Sequence, residues 1–167
     1  MYAMESTETT TFSESSSKNS FIATATEKDF QILAVMGQVF AGMYGQGIMK
    51  FDPTVFVRKM QEFMKGGIGI VLCAHENFEL KGAIAGVTYE NVFDGGICAS
   101  ELFWYVWPGA EKGTGTRLLQ AFEEWAKFRK CTRVTMAHMD HNKASELGQF
   151  YTRNGYLPFD SQYVKAI

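Results

Sequence analysis

The sequence predicts an α+β domain, and three observations carry that prediction. Strand-type and helix-type segments follow one another in the order βααββ, then βαβα, then a closing β. At 167 residues, 46% apolar and 14% aromatic, the chain can bury the core of one domain but not of two. Glycine and proline signals fall between the patterned segments, as element boundaries require.

Residues 1–20, which include Glu5-Ser-Thr-Glu and Ser13-Glu-Ser-Ser-Ser, are rich in Ser, Thr and Glu and offer little to offset ordering entropy. They are expected to form a flexible tail, with residues 21–167 as the single domain. Phe21-Ile-Ala-Thr-Ala-Thr26 predicts a first strand, and Thr26 caps a helix from Glu27 to about Met43 that carries Phe30, Leu33, Ala34 and Gly37 at helical spacing. Asp52-Pro53 starts a second helix, with Val55, Phe56, Met60, Phe63 and Met64 as its apolar set, and Gly66-Gly67 stops it. Ile68–Ala74 and Leu80–Tyr89 predict a hairpin joined through Glu76-Asn77-Phe78-Glu79. An aromatic-rich strand over Ile97–Val106 ends at Pro108-Gly109. A helix opens at Lys112-Gly-Thr-Gly-Thr116, with Leu118, Phe122, Trp125, Ala126 and Arg129 on one face. Cys131–Ala137 predicts a strand, Lys143–Asn154 a helix stopped by Gly155, and Gln162–Ala166 a last strand.

Composition excludes some classes of function. A net charge of −2 gives no cationic surplus for a phosphate backbone or an anionic membrane. Cys73, Cys98 and Cys131 are odd in number and lack disulfide or zinc spacing, which points to a reducing, cytoplasmic setting. No apolar run approaches the roughly 18–20 residues of a membrane span, and a signal-peptide pattern is absent from the N-terminus. His138 and His141 lack a third well-spaced ligand, so no metal is predicted.

The most informative stretch is Glu111-Lys-Gly-Thr-Gly-Thr116. A strand feeding a glycine turn and then a helix leaves backbone N–H groups pointing at one spot, backed by the helix dipole, a geometry that holds phosphate. Gly115-Thr116-Arg117 does not supply the Gly-Lys-Ser/Thr ending of a P-loop, and Leu118 stands where a dinucleotide fingerprint needs its third glycine.

Val106-Trp-Pro108, the run from Ala110 through Gly113, Gly115 and Leu118-Leu119, and Phe150-Tyr151-Thr-Arg-Asn-Gly155-Tyr156 together resemble the coenzyme-binding half of GNAT N-acetyltransferases. Within that family the likeness is nearest to compact GNAT-like proteins encoded by bacteriophages. The resemblance covers about residues 97–167 and implies a mixed, mostly antiparallel sheet of about six or seven strands flanked by about four helices. It also implies acetyl-CoA as co-substrate, an amine acceptor, and transfer by direct attack.

Residue by residue, the resemblance puts coenzyme contacts at Tyr105, Val106, Lys112, Gly113, Thr114, Gly115, Thr116 and Asn142, and the proton donor to the leaving thiolate at Tyr151. Glu101 is the nearest carboxylate on the preceding strand and the candidate base. Alternation places it on one face with Phe103 and Tyr105. Ala110 stands where the family carries Gln or Arg, and Glu111 beside it is acidic, which implies weakened coenzyme binding. The same departures motivate an alternative, a GNAT-like fold kept as a structural or interaction protein, for example in a phage particle. A homodimer is compatible with either.

Overall fold

The computed structural model describes residues 19–44, 50–138 and 144–165. Its order is β1 (Ser20–Thr24), α1 (Phe30–Tyr44), α2 (Pro53–Lys65), β2 (Gly69–Glu76), β3 (Glu79–Glu90), β4 (Ile97–Val106), α3 (Thr114–Phe128), β5 (Arg133–Thr135) and α4 (Ala144–Arg153). The strands form one sheet in sequential order, antiparallel from β1 to β4, with β5 parallel to β4. The α+β class is as predicted, but five strands form among the described residues rather than six or seven. Residues 162–165, which carry most of the expected closing strand, are not extended into the sheet. β5 offers only three paired residues as an edge, Pro158 removes a donor upstream, and Leu157, Phe159 and Tyr163 remain exposed.

Local chemistry sets the boundaries. Asp52 caps α2 by accepting the N–H groups of Thr54 at 2.8 Å and Val55 at 3.1 Å, with Pro53 at the first helical position. α1 begins three residues later than expected. Thr26 and Asp29 close a reciprocal box, in which the Asp29 carboxylate takes Thr26 N–H at 2.7 Å and Thr26 C=O takes Asp29 N–H at 3.0 Å. In α2, Val57 packs inward and Val55 is exposed, because the apolar stripe runs through 56, 57, 60, 63 and 64. The β2–β3 hairpin turns through Asn77 and Phe78, both with positive φ (51° and 66°), the backbone a two-residue primed turn demands.

Two apolar layers cover the sheet. α1 and α2 cover one face, over Val71, Cys73, Ala83, Ala85, Phe103 and Tyr105. α3 covers the other, over Leu72, Ala74, Ile84 and Ala99 with Leu118 and Phe122. Two β3 glycines bring α3 close: a Cβ on Gly86 would lie 2.4 Å from the Phe122 ring, and one on Gly82 would lie 3.0 Å from Leu118. This contact seats the N-terminus of α3 beside the end of β4. No helix among the described residues is long and apolar enough to cross a membrane.

Candidate active site

β4 is paired with β3 along its length but with β5 only at Cys98, Ala99 and Ser100. Beyond Ser100 the two parallel strands part, and the chain after β5 runs past the gap through Ala137 and His138. At the parting point β4 carries a bulge. Glu101 pairs with Gly86 and Phe103 with Ala85, so Leu102 has no partner in the register. Gly86 and Ala85 are consecutive and face opposite ways, so Glu101 and Phe103 do not share a face as simple alternation predicts. Both nonetheless border the same cavity.

That cavity has a volume of about 370 Å³ and draws residues from both sides of the sheet. Phe40, Phe51 and Phe56 come from the α1–α2 side with Phe103, and Trp104 and Tyr151 come from the α3–α4 side. Glu101 lies at the junction. Burial pushes its carboxyl up to about 7, against the opposing effect of the Ala137 N–H, which donates to it at 3.3 Å. The Tyr151 hydroxyl donates to the Ala137 carbonyl at 3.0 Å. Burial first, and then the Glu101 charge, hold this phenol above its ordinary value. A single residue, Ala137, thus anchors both candidate catalytic groups at the cavity wall.

The outward-facing backbone groups of β4 are one residue out of step with expectation. Trp107 N–H donates to Lys81 C=O at 2.8 Å, and Trp107 and Lys81 follow the Val106–Gly82 pair, which makes them a hydrogen-bonded pair. Two residues back, Tyr105 and Ala83 form the next such pair, so the Tyr105 peptide groups are turned into the sheet. Its ring is buried against Trp107. Trp104 and Val106 therefore aim their N–H and C=O groups toward the parted side, and Trp104, not Tyr105, joins Val106 there. The Trp104 indole N–H is buried with no partner among the described residues.

At the end of β4 the loop turns through Gly109 and Gly113, with φ of 86° and 91°. Gly113 is the N-cap of α3 and contributes no side-chain cap, and a Cβ placed on it would meet no described atom within 4 Å. This face of the loop is open. Lys112 is exposed, and Gly115 and Thr116 lie in the first turn, whose N–H groups lack intrahelical partners.

The other side of the loop is held from within by Glu76, at the end of β2. This buried carboxylate accepts Glu111 N–H at 2.9 and 3.1 Å and the Thr114 hydroxyl at 2.8 Å. The Thr114 oxygen in turn accepts from Arg117 at 3.0 Å. The Thr114 side chain, expected as a ligand donor, is therefore committed to the interior. Asn142 lies outside the described residues. Asp94, in the turn before β4, is paired with Arg133.

The family is decided by sequence. A model of the acetyltransferase (GNAT) family matches residues 46–156, two thirds of the chain. The chain belongs to this family. By sequence, no curated protein matches. Solved structures share its fold. A predicted acetyltransferase with acetyl-CoA from Clostridium acetobutylicum is 15% identical (TM-score 0.70; 88% of this chain and 96% of that one). A ribosomal-protein-alanine N-acetyltransferase from Brucella melitensis is also 15% identical (TM-score 0.68; 89% and 99%). A transcriptional regulator from Bacillus halodurans C-125 is 19% identical (TM-score 0.74; 89% and 99%).

For this GNAT chain, the sequence named Glu101, Tyr151 and the glycine loop as candidates; it marked Glu76 only as part of a hairpin turn and Phe56 only as helix core, and it did not single out Phe40 or Phe51. Glu76 carries no local signal, because its partners Glu111 and Thr114 lie 35 and 38 residues away.

Proposed function

We propose that this GNAT chain transfers an acetyl group from acetyl-CoA to a primary amine by direct attack. The observation that carries the reading is the pairing, across Ala137, of a carboxyl near pH 7 with a protonated phenol, at the wall of a cavity that opens where β4 and β5 part. A base poised near neutral pH is the most effective acceptor for a proton leaving an amine, which is mostly protonated at pH 7.

Acetyl-CoA supplies the acetyl group as a thioester. Lys112 and the open N–H groups around Gly113, Gly115 and Thr116 suit its phosphates, and Trp104 and Val106 N–H suit an oxygen in which charge develops. The fraction of amine that has already lost its extra proton to solvent attacks: as its nitrogen bonds to the acetyl carbon and the carbon–sulfur bond breaks, Glu101 accepts one N–H proton and Tyr151 donates its own to the departing sulfur, and the two groups then re-equilibrate with solvent. Glu76 keeps the loop in the geometry that presents those N–H groups.

Calorimetric titration with acetyl-CoA tests the reading, with Gly115→Trp to fill the loop. Saturable binding that the variant loses supports it. A folded wild-type protein that does not bind acetyl-CoA overturns it and favours a structural or interaction role.

A further inference from the structure

The chemistry of the cavity narrows the acceptor, an inference that rests on the transferase reading. We propose that the acceptor is a primary monoamine carrying an aromatic ring, seated among Phe40, Phe51, Phe56 and Phe103 with its nitrogen directed at Glu101. At about 370 Å³ the cavity lies at the small end of the ~300–1,000 Å³ range of small-molecule sites. Part of that volume must admit the thioester end that Tyr151 serves, so what is left on the α1–α2 side suits one ring and a short arm and is too small for an oligosaccharide.

The lining also selects for charge and polarity. Among the described residues that border the cavity, Glu101 is the one carboxylate, and His138 and Tyr151 are the other titratable groups. A polyamine would bring a second and third cation with no matching anion in that wall. A peptide N-terminus would bring amide groups, each costing roughly 1–3 kcal/mol if buried unpaired, into a wall made largely of hydrocarbon. A single amine on an apolar body needs only the one carboxylate.

Ring geometry selects an aromatic body over an aliphatic one. Phe103 meets Phe40 at 5.3 Å and 78° and Phe56 at 5.6 Å and 77°, and Phe51 meets Phe56 at 5.4 Å. Phe103 meets two of its neighbours edge-to-face while Phe51 is tilted 48° against Phe56, so this box of rings offers both faces and edges to the adjoining cavity, where a further ring continues the same packing. The ring faces also attract an ammonium group before it gives up its proton. Gly37 makes the box possible: a Cβ there would lie 2.9 Å from the Phe51 ring and 3.2 Å from that of Phe56.

Turnover of 2-phenylethylamine, n-butylamine, spermidine and an alanine-initiated peptide, followed by release of coenzyme thiol, tests the inference. The expected result is a kcat/KM for phenylethylamine on the order of 10- to 100-fold above each of the others. Gly37→Leu, which would push Phe51 and Phe56 into the box, should erase that preference and leave acetyl-CoA affinity unchanged. A preference for spermidine or the peptide, or equal rates, overturns the inference and leaves the transferase reading standing. If no amine turns over, equilibrium binding of phenylethylamine to the full chain decides. Saturable binding lost in Gly37→Leu upholds the box as a seat for an aromatic amine, and no binding overturns it, while acetyl-CoA titration decides the transferase reading separately. The wild-type comparison carries the test if Gly37→Leu does not fold.

Discussion

Replacing Glu101 by glutamine should move stability and activity in opposite directions. The carboxyl changes from 4.5 in the unfolded chain to about 7 in the folded one, because burial disfavours its charged form. A carboxyl raised on folding leaves stability intact below pH 4.5, costs stability as pH climbs to about 7, and adds no further change above that. The difference, 7 − 4.5 = 2.5, at about 1.36 kcal/mol per pH unit, amounts to about 3 kcal/mol. Glutamine is never charged, yet its carbonyl can still accept the Ala137 N–H. Urea unfolding at pH 8 should therefore find Glu101→Gln more stable by up to about 3 kcal/mol, and unfolding at pH 4 should find the two proteins equal within about 0.5 kcal/mol. Turnover should fall on the order of 10²- to 10⁴-fold, the usual contribution of a general base. The ratio of wild-type to variant kcat/KM should rise about tenfold per pH unit below 7 and flatten above it, which separates Glu101 from titration of the amine itself. A stability difference that does not change with pH, or a variant less stable at pH 8, would refute the reasoning from burial.

Three further expectations follow from other residues. Tyr151→Phe removes the hydroxyl that donates to Ala137, so kcat should fall far more than acetyl-CoA affinity in parallel kinetics and calorimetry, with about 1 kcal/mol of stability lost. Equal loss of both would count against the proton-donor role. Glu76→Ala strips the acceptor from Glu111 N–H and Thr114 O–H; chemical unfolding should show a loss of about 3 kcal/mol, and calorimetry weaker acetyl-CoA binding, whereas unchanged affinity would show that the loop holds its shape alone. Gly86→Ala puts a methyl 2.4 Å from Phe122 and 2.7 Å from Ser100 C=O, so thermal unfolding should report a loss of about 1–3 kcal/mol, and a neutral result would mean that α3 can lift from β3 without cost.

Much of the scaffold was legible because its signals are local. Asp52-Pro53 starts α2 through a cap two and three residues long in reach, Ile97–Val106 is bounded by turn residues at both ends, and Gly155 sits at positive φ just past α4. The bulge at Leu102 was not legible, since it arises from how β4 registers against β3 and leaves no mark in the alternation of β4 alone. That one slip explains why Glu101 was assigned to the wrong face and why the outward peptide groups belong to Trp104 and Val106. Thr114 was read as a phosphate donor because its partner, Glu76, lies on another strand. The loop was visible in sequence as a candidate anion site; the strut beneath it required the fold.

The parting of β4 from β5 has a meaning for the protein's lifetime as well as its chemistry. A strand in the middle of a molecule with one flank unpaired among the described residues is a sheet short of one strand there, and its peptide groups gain full value only when something extended lies along them. A ligand that fills this flank binds the native state and not the unfolded chain, so at a concentration of 100 Kd it adds about 2.7 kcal/mol to stability. Where unfolding feeds degradation, the abundance of such a protein rises and falls with the supply of the molecule that completes its sheet.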